Sequence, residues 1–343
     1  MLNKSISIEE KLIIDIIFSK GKLYKNRFEN IDYEKIVNIA SNHLILPTLY
    51  INLKNKFYLK YTPNGFSKYL GEIFEINKNR NINLVHEIRH INNLFNKHNI
   101  KHVFLKGSAH VICGLYLSDY DRMIGDIDIL TNLNEGEKAL NILKLDGYIP
   151  VTKKKFFQKN KKHFIRHFNP KKIFAVEIHT PKLLKHKVYK FNGENILNNS
   201  FKVKNLMVPS YTDQLYHNIY NFQINDYGYL NFNYALRSFY DSKLIIEKLN
   251  NLNFQSDKFI RSYFSKASLL GVNFHKEIGY EYNIISSLNF YFLRRNKFYK
   301  KIYSIIIRSY MRFVFLPKQL EEFFSNKLYR KYIINKIFKN IKL

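Results

Sequence analysis

The chain has 343 residues, 46% of them apolar, and a formal net charge of +29, which allows two domains and a sizeable core. A single cysteine, Cys113, excludes an internal disulfide framework. No apolar run approaches the roughly 20 residues of a membrane span, and Glu9, Glu10 and Asp15 interrupt the first apolar stretch too early for a secretory signal, so a soluble cytoplasmic protein is expected.

Residues 1–100 read as a helical region. Ser7 and Glu10 have the spacing of a capping box ahead of a periodic run to Phe18. Asp32 to Leu53 carries apolar residues at helical spacing, with Pro47 bending or ending the helix, and Ser67 to His98 reads as one long helix with a polar face. From 101 to 204 the rhythm changes. A strand from Val103 to Leu105 leads through Gly107-Ser108 into a helix ending near Leu117, and a loop with Asp121, Arg122 and Gly125 precedes a strand from Asp126 to Leu130. Glu135 to Leu145 is a helix closed by Gly147. Lys162–Phe168 and Ile173–His179 are strands joined by the turn Asn169-Pro170-Lys171-Lys172. Residues 205–343 return to helix, with Ser210 and Asp213 opening one segment and Leu236–Leu249 amphipathic. The expected fold class is therefore α+β, a central small mixed sheet flanked by N- and C-terminal helical regions.

Side chains alternate across a strand, so Asp126 and Asp128 share one face while Ile127 and Ile129 turn to the other. Two carboxylates side by side repel each other unless a cation sits between them, and magnesium, with its hard oxygen ligands and retained waters, suits such a pair. Glu177, flanked by Val176 and Ile178 and facing the same way as His179, supplies a third carboxylate. Three carboxylates complete a site for two Mg²⁺ ions, with Mn²⁺ as a substitute. One ion neutralises a triphosphate, and the other acidifies an attacking hydroxyl. Gly107-Ser108, between strand and helix, offers backbone N–H groups and no bulky side chain to a phosphate.

The run Phe104-Leu105-Lys106-Gly107, the segment Arg122 to Leu130, Gly147-Tyr148 and Val176-Glu177-Ile178-His179 resemble the uncharacterised nucleotidyltransferase family found in bacteria, within the DNA polymerase β-type superfamily. A weaker likeness extends to Leu236-Arg237-Ser238-Phe239-Tyr240-Asp241. The resemblance implies Asp126, Asp128 and Glu177 as catalytic metal ligands and Gly107 and Ser108 as triphosphate contacts, with Lys106 and Arg122 as further phosphate neighbours. It implies transfer of a nucleoside monophosphate, AMP from ATP as the first expectation, to a hydroxyl or amine of a small molecule or sugar, a protein or an RNA. Two positions depart from the pattern: Gly125 stands where many members carry a small polar residue, and Glu177 where the closer family favours Asp.

Other readings compete. His86-Glu87-Ile88-Arg89-His90 matches the zinc-peptidase motif H-E-x-x-H, but Asn93 and Asn96 stand where the extended form needs Gly and His. A degenerate relative that binds nucleotide without turnover is a second alternative. Arg237 and Asp241, four apart, read as a helical ion pair or interdomain contact. Residues 291–343 hold 14 Lys or Arg against two acids among many Ile, Phe and Tyr. That composition suits either contact with RNA or an anionic membrane, or a cap with apolar residues packed inside.

Overall fold

Ser7 opens the first helix as its spacing predicts: its Oγ accepts the Glu10 N–H at 3.2 Å, and Ile8–Phe18 (α1) follows. The computed structural model describes residues 6–118, 120–152, 163–185, 188, 191–249, 257–274 and 284–341. Tyr33–Asn42 (α2), capped by Asp32, and Leu46–Asn55 (α3) are separate helices. The break falls at His43–Ile45, where Leu44 has φ +55°. Pro47 therefore does not end a helix; it sits in the first turn of α3, where a missing N–H costs nothing. Asn64–Lys97 (α4) runs unbroken.

A five-stranded mixed sheet follows: His102–Phe104 (β1), Asp126–Thr131 (β2), Ile149–Pro150 (β3), His167–Phe168 (β4) and Ala175–His179 (β5), in the order β1-β2-β5-β4-β3. Only β2 and β5 are parallel, with Asp128 level with Glu177 and Leu130 level with His179. Ile127, Ile129, Val176 and Ile178 pack on the back face against Leu84, Ile88, Ile91 and Phe95 of α4. Ala139 and Leu143 of Leu133–Leu145 (α6) join the same core. Each Val, Leu, Ile or Phe among them contributes about 1.5–3 kcal/mol when fully buried, so the back of the sheet fixes which face the carboxylates must take.

Lys106–Ile112 (α5) is shorter than the sequence suggests, because Gly114 takes φ +59° and ends it before Leu117. Gly147, at φ +87°, closes α6 as expected. The expected strand up to Phe168 is interrupted, and its first residue, Lys162, lies outside the described residues. His163 bridges His179 while His167 pairs with Val176, so this arm carries one residue more than β5 between the two pairs. That is a bulge, which re-aims the side chains within it.

Gly193–Asn198 (α7) packs against β2, and the hairpin Phe201–Val203 (β6) and Leu206–Val208 (β7) leads to Tyr211–Tyr220 (α8), capped by Ser210. A π-turn, Asn221–Asn225, extends α8. Leu236–Ile246 (α9) and Lys258–Leu269 (α10) complete a compact unit made of the described residues up to 151 and from 163 to 274. Ile284–Arg295 (α11), Lys297–Ser325 (α12) and Lys327–Ile341 (α13) belong to a second unit. In α12 the aromatic residues do not all turn inward: Phe298, Phe313 and Phe324 are exposed. No described helix is long and apolar enough to cross a membrane. The architecture is α+β.

Candidate active site

Buried polar contacts hold the loop that leads into β2. The Asp121 carbonyl accepts the Thr48 hydroxyl at 2.8 Å, and the Arg122 carbonyl accepts Nδ2 of Asn77 and of Asn81 at 3.2 and 3.0 Å. The N-terminal helices thereby fix the start of the strand that carries both aspartates. On its other side, Leu105, the residue after β1, donates its N–H to the Asp128 carbonyl at 2.9 Å. Lys106 then turns into α5 with φ +51°, a left-handed conformation that costs a residue with a Cβ about 1 kcal/mol. The turn delivers its Nζ to Asp128 Oδ1 at 2.6 Å.

Asp126, Asp128, Glu177 and His179 share the front face. His179 Nε2 lies 2.6 Å from Asp128 Oδ1 and 3.1 Å from Glu177 Oε2. Across the bulge, Arg166 Nη2 reaches Asp126 Oδ2 at 2.8 Å and Glu177 Oε1 at 3.7 Å, and His163 Nδ1 lies 3.3 Å from Glu177 Oε1. Burial disfavours the charged form of Asp128, yet Lys106 and His179 outweigh it and hold the carboxyl well below the usual range. In Glu177, burial is likewise outweighed by His179, and the pKa is lowered. Asp126 goes the other way: burial and the neighbouring Asp128 charge raise its pKa against the pull of Arg166. Lys106 is raised, since Asp128 overcomes its desolvation.

Ligand atoms of Asp128, Glu177 and His179 lie within 4.8 Å of one another, and these are the three among the described residues that converge closely enough to hold a metal ion. Two carboxylates and an imidazole are a donor set that fits a divalent cation. His179 Nδ1 is buried and has no hydrogen-bond partner. Asp126 faces the same way but stands outside that trio, in its ion pair with Arg166.

Gly107 and Ser108 are buried in the first turn of α5. A Cβ at Gly107 would collide with Arg122 Nη1 and crowd Ile124 Cγ1 at 3.1 Å. At Gly125 it would meet open space, so the departure there costs no packing. Arg122 lies beneath Gly107 with its guanidinium on Asp241, Nε to Oδ1 at 3.0 Å and Nη2 to Oδ2 at 2.8 Å. The Tyr116 hydroxyl also donates to Asp241. The expected Arg237–Asp241 pair is thus replaced by Arg122–Asp241.

The H-E-x-x-H segment is not assembled as a metal site among the described residues. Glu87 turns into the core and accepts the Tyr148 hydroxyl at 2.8 Å, burial raising its pKa. His86 is exposed, and His90 lies 2.7 Å from Asp146.

Sequence reasoning overlooked Arg166 and His163. Counting outward from the Asn169–Lys172 turn in the β4–β5 register sets Arg166 opposite Glu177, a usable signal; the bulge that brings His163 level with His179 leaves none.

A family model described as an uncharacterised nucleotidyltransferase matches residues 29–263, more than half of the chain. No curated protein matches the chain.

Proposed function

Because the chain belongs to the uncharacterised nucleotidyltransferase family and is a transferase of nucleotidyl groups, we propose that it moves a nucleoside monophosphate from an NTP, with ATP the first to test, to an acceptor hydroxyl or amine. The convergence of Asp128, Glu177 and His179 on neighbouring parallel strands, with Asp126 on the same face, carries this reading. The acceptor oxygen bonds to the α-phosphorus, the bond from that phosphorus to the α–β bridging oxygen breaks, and pyrophosphate leaves. Asp128 and Glu177, with His179, would hold a divalent cation, and Asp126 would join them when Arg166 turns to phosphate. Bound there, such a cation supplies charge neutralisation and a more acidic acceptor hydroxyl. The carboxylate donors suit Mg²⁺ or Mn²⁺. Lys106, whose Nζ is on Asp128 at 2.6 Å, would meet phosphate oxygens, and Gly107 and Ser108 in the first turn of α5 would offer their N–H groups. Arg122 contributes by position, supporting Gly107 from beneath.

The test follows the label. Incubated with a divalent cation, protein, RNA and small hydroxyl acceptors, the chain transfers phosphorus from α-labelled NTP and none from γ-labelled NTP, and Asp128→Asn abolishes transfer. Transfer of γ label would make it a kinase, and label movement unchanged in Asp128→Asn would remove the carboxylates from the chemistry.

A further inference from the structure

A cavity of about 210 Å³ lies beside the carboxylate face, bounded by α5, α8 with its π-turn, and α9. Lys106, Arg122 and Arg237 all line it. Two of these cations are already committed: Lys106 to Asp128 at 2.6 Å, and Arg122 to Asp241 through two hydrogen bonds. Arg237 is different. Its i+4 neighbour Asp241 is taken by Arg122, and its guanidinium donates one long hydrogen bond, Nη1 to the Met123 carbonyl at 3.4 Å. The planar fork of five donors is therefore largely unused. Burial, with Arg122 close by, disfavours its charge and lowers its pKa, against the attraction of Asp241 and Asp226. Asp226 stands at the exposed rim, held by Asn221 Nδ2 at 3.3 Å.

Two further features point the same way. Arg237 sits in the first turn of α9, whose N-cap, Ala235, makes no side-chain capping hydrogen bond, and Ala235 and Ser238 also line the cavity. The π-turn supplies Asn221 and Phe222 to the lining; such turns recur at functional sites. Lys106 connects the two regions, since its Nζ is on Asp128 and the residue also lines the cavity.

We propose that this cavity binds the β- and γ-phosphates of the nucleotide, and the pyrophosphate they become, with Arg237 as their direct ligand. This rests on the nucleotidyl-transfer reading for the identity of the phosphate, and the cavity's taste for an anion stands apart from it. Arg122 holds the wall, and Arg237 grips the leaving group as charge builds on it. The bidentate geometry of a guanidinium suits two phosphate oxygens better than an ammonium would.

The experiment titrates inorganic pyrophosphate, and separately ATP, into the full chain by calorimetry, comparing wild type with Arg237→Gln and Arg237→Lys. Charge-assisted contacts of this kind set the expected loss at about tenfold or more in pyrophosphate affinity for Arg237→Gln. Arg237→Lys recovers part of it, and the thermal midpoints stay close to wild type. Equal pyrophosphate affinity in wild type and Arg237→Gln, with both folded, overturns the proposal. ATP binding that depends on Asp128 but is indifferent to Arg237→Gln also overturns it, and leaves the transfer reading standing. Arg237-dependent binding of pyrophosphate without any ATP binding keeps the anion site and sinks the transfer reading instead.

Discussion

Removing the buried Asp241 should destabilise this protein more than removing any exposed or half-buried acid. Its carboxylate is buried and receives Arg122 Nε and Nη2 at 3.0 and 2.8 Å and the Tyr116 hydroxyl. Asp241→Asn cannot satisfy both guanidinium donors, and it leaves the buried Arg122 charge uncompensated. Breaking a buried pair from one side costs about 3–5 kcal/mol. At about 2–4 °C per kcal/mol for a domain of this size, the thermal midpoint should fall by roughly 6–20 °C. Arg122→Met should cost a similar amount, because it strands the carboxylate. Arg237→Met, which removes one 3.4 Å hydrogen bond, should cost under about 1 kcal/mol. Urea unfolding with a constant m-value measures all three. A loss in Asp241→Asn of 1 kcal/mol or less, or an Arg237→Met loss equal to that of Arg122→Met, would show that the pairing described here is wrong.

Acid should act through the same pair. The pKa of Asp241 is held low because Arg122 overcomes its burial, so the folded state binds that proton less readily than the unfolded state. Its stabilisation is complete above the unfolded carboxylate value of about 4 and fades as pH falls through the folded value; Asp241→Asn should flatten that part of a stability–pH curve, and an unchanged acid limb would count against the linkage. Gly107→Ala should destabilise and impair nucleotide binding, since its Cβ meets the Arg122 guanidinium, whereas Gly125→Ser should leave the thermal midpoint within about 2 °C. His86→Ala should change neither stability by more than about 0.5 kcal/mol nor the metal content of the purified protein, and a loss of bound zinc would reopen the peptidase motif.

Much of the fold could be read from local signals with a single physical cause. Ser7, Ser210 and Gly147 act where capping chemistry places them, and alternation alone assigns Asp126 and Asp128 to one face and Ile127 and Ile129 to the other. The errors arise where tertiary contacts decide. Pro47 marks a helix start because the chain reverses at Leu44, which has no sequence signature for a positive φ. Arg237 and Asp241 have ideal helical spacing, yet Arg122, 119 residues away from Asp241, is the partner. The front of the sheet follows the same division. Glu177 is recognisable from its strand, and its level with Asp128 comes from parallel pairing that no local pattern encodes. Arg166 and His163 reach the carboxylates through a bulge. The carboxylates and Lys106 were legible because the chemistry of the motif constrains residue type; Arg166 and His163 stood out less, because basic residues are everywhere in a chain of this charge.

The most direct test of the central claim is calorimetric binding of each NTP with Mg²⁺ or Mn²⁺, comparing wild type with a folded Asp126→Asn, Asp128→Asn double variant. NTP binding should require a divalent cation and be lost in the double variant. NTP binding that ignores both the cation and the two aspartates, or no NTP binding by the folded wild type, would contradict it.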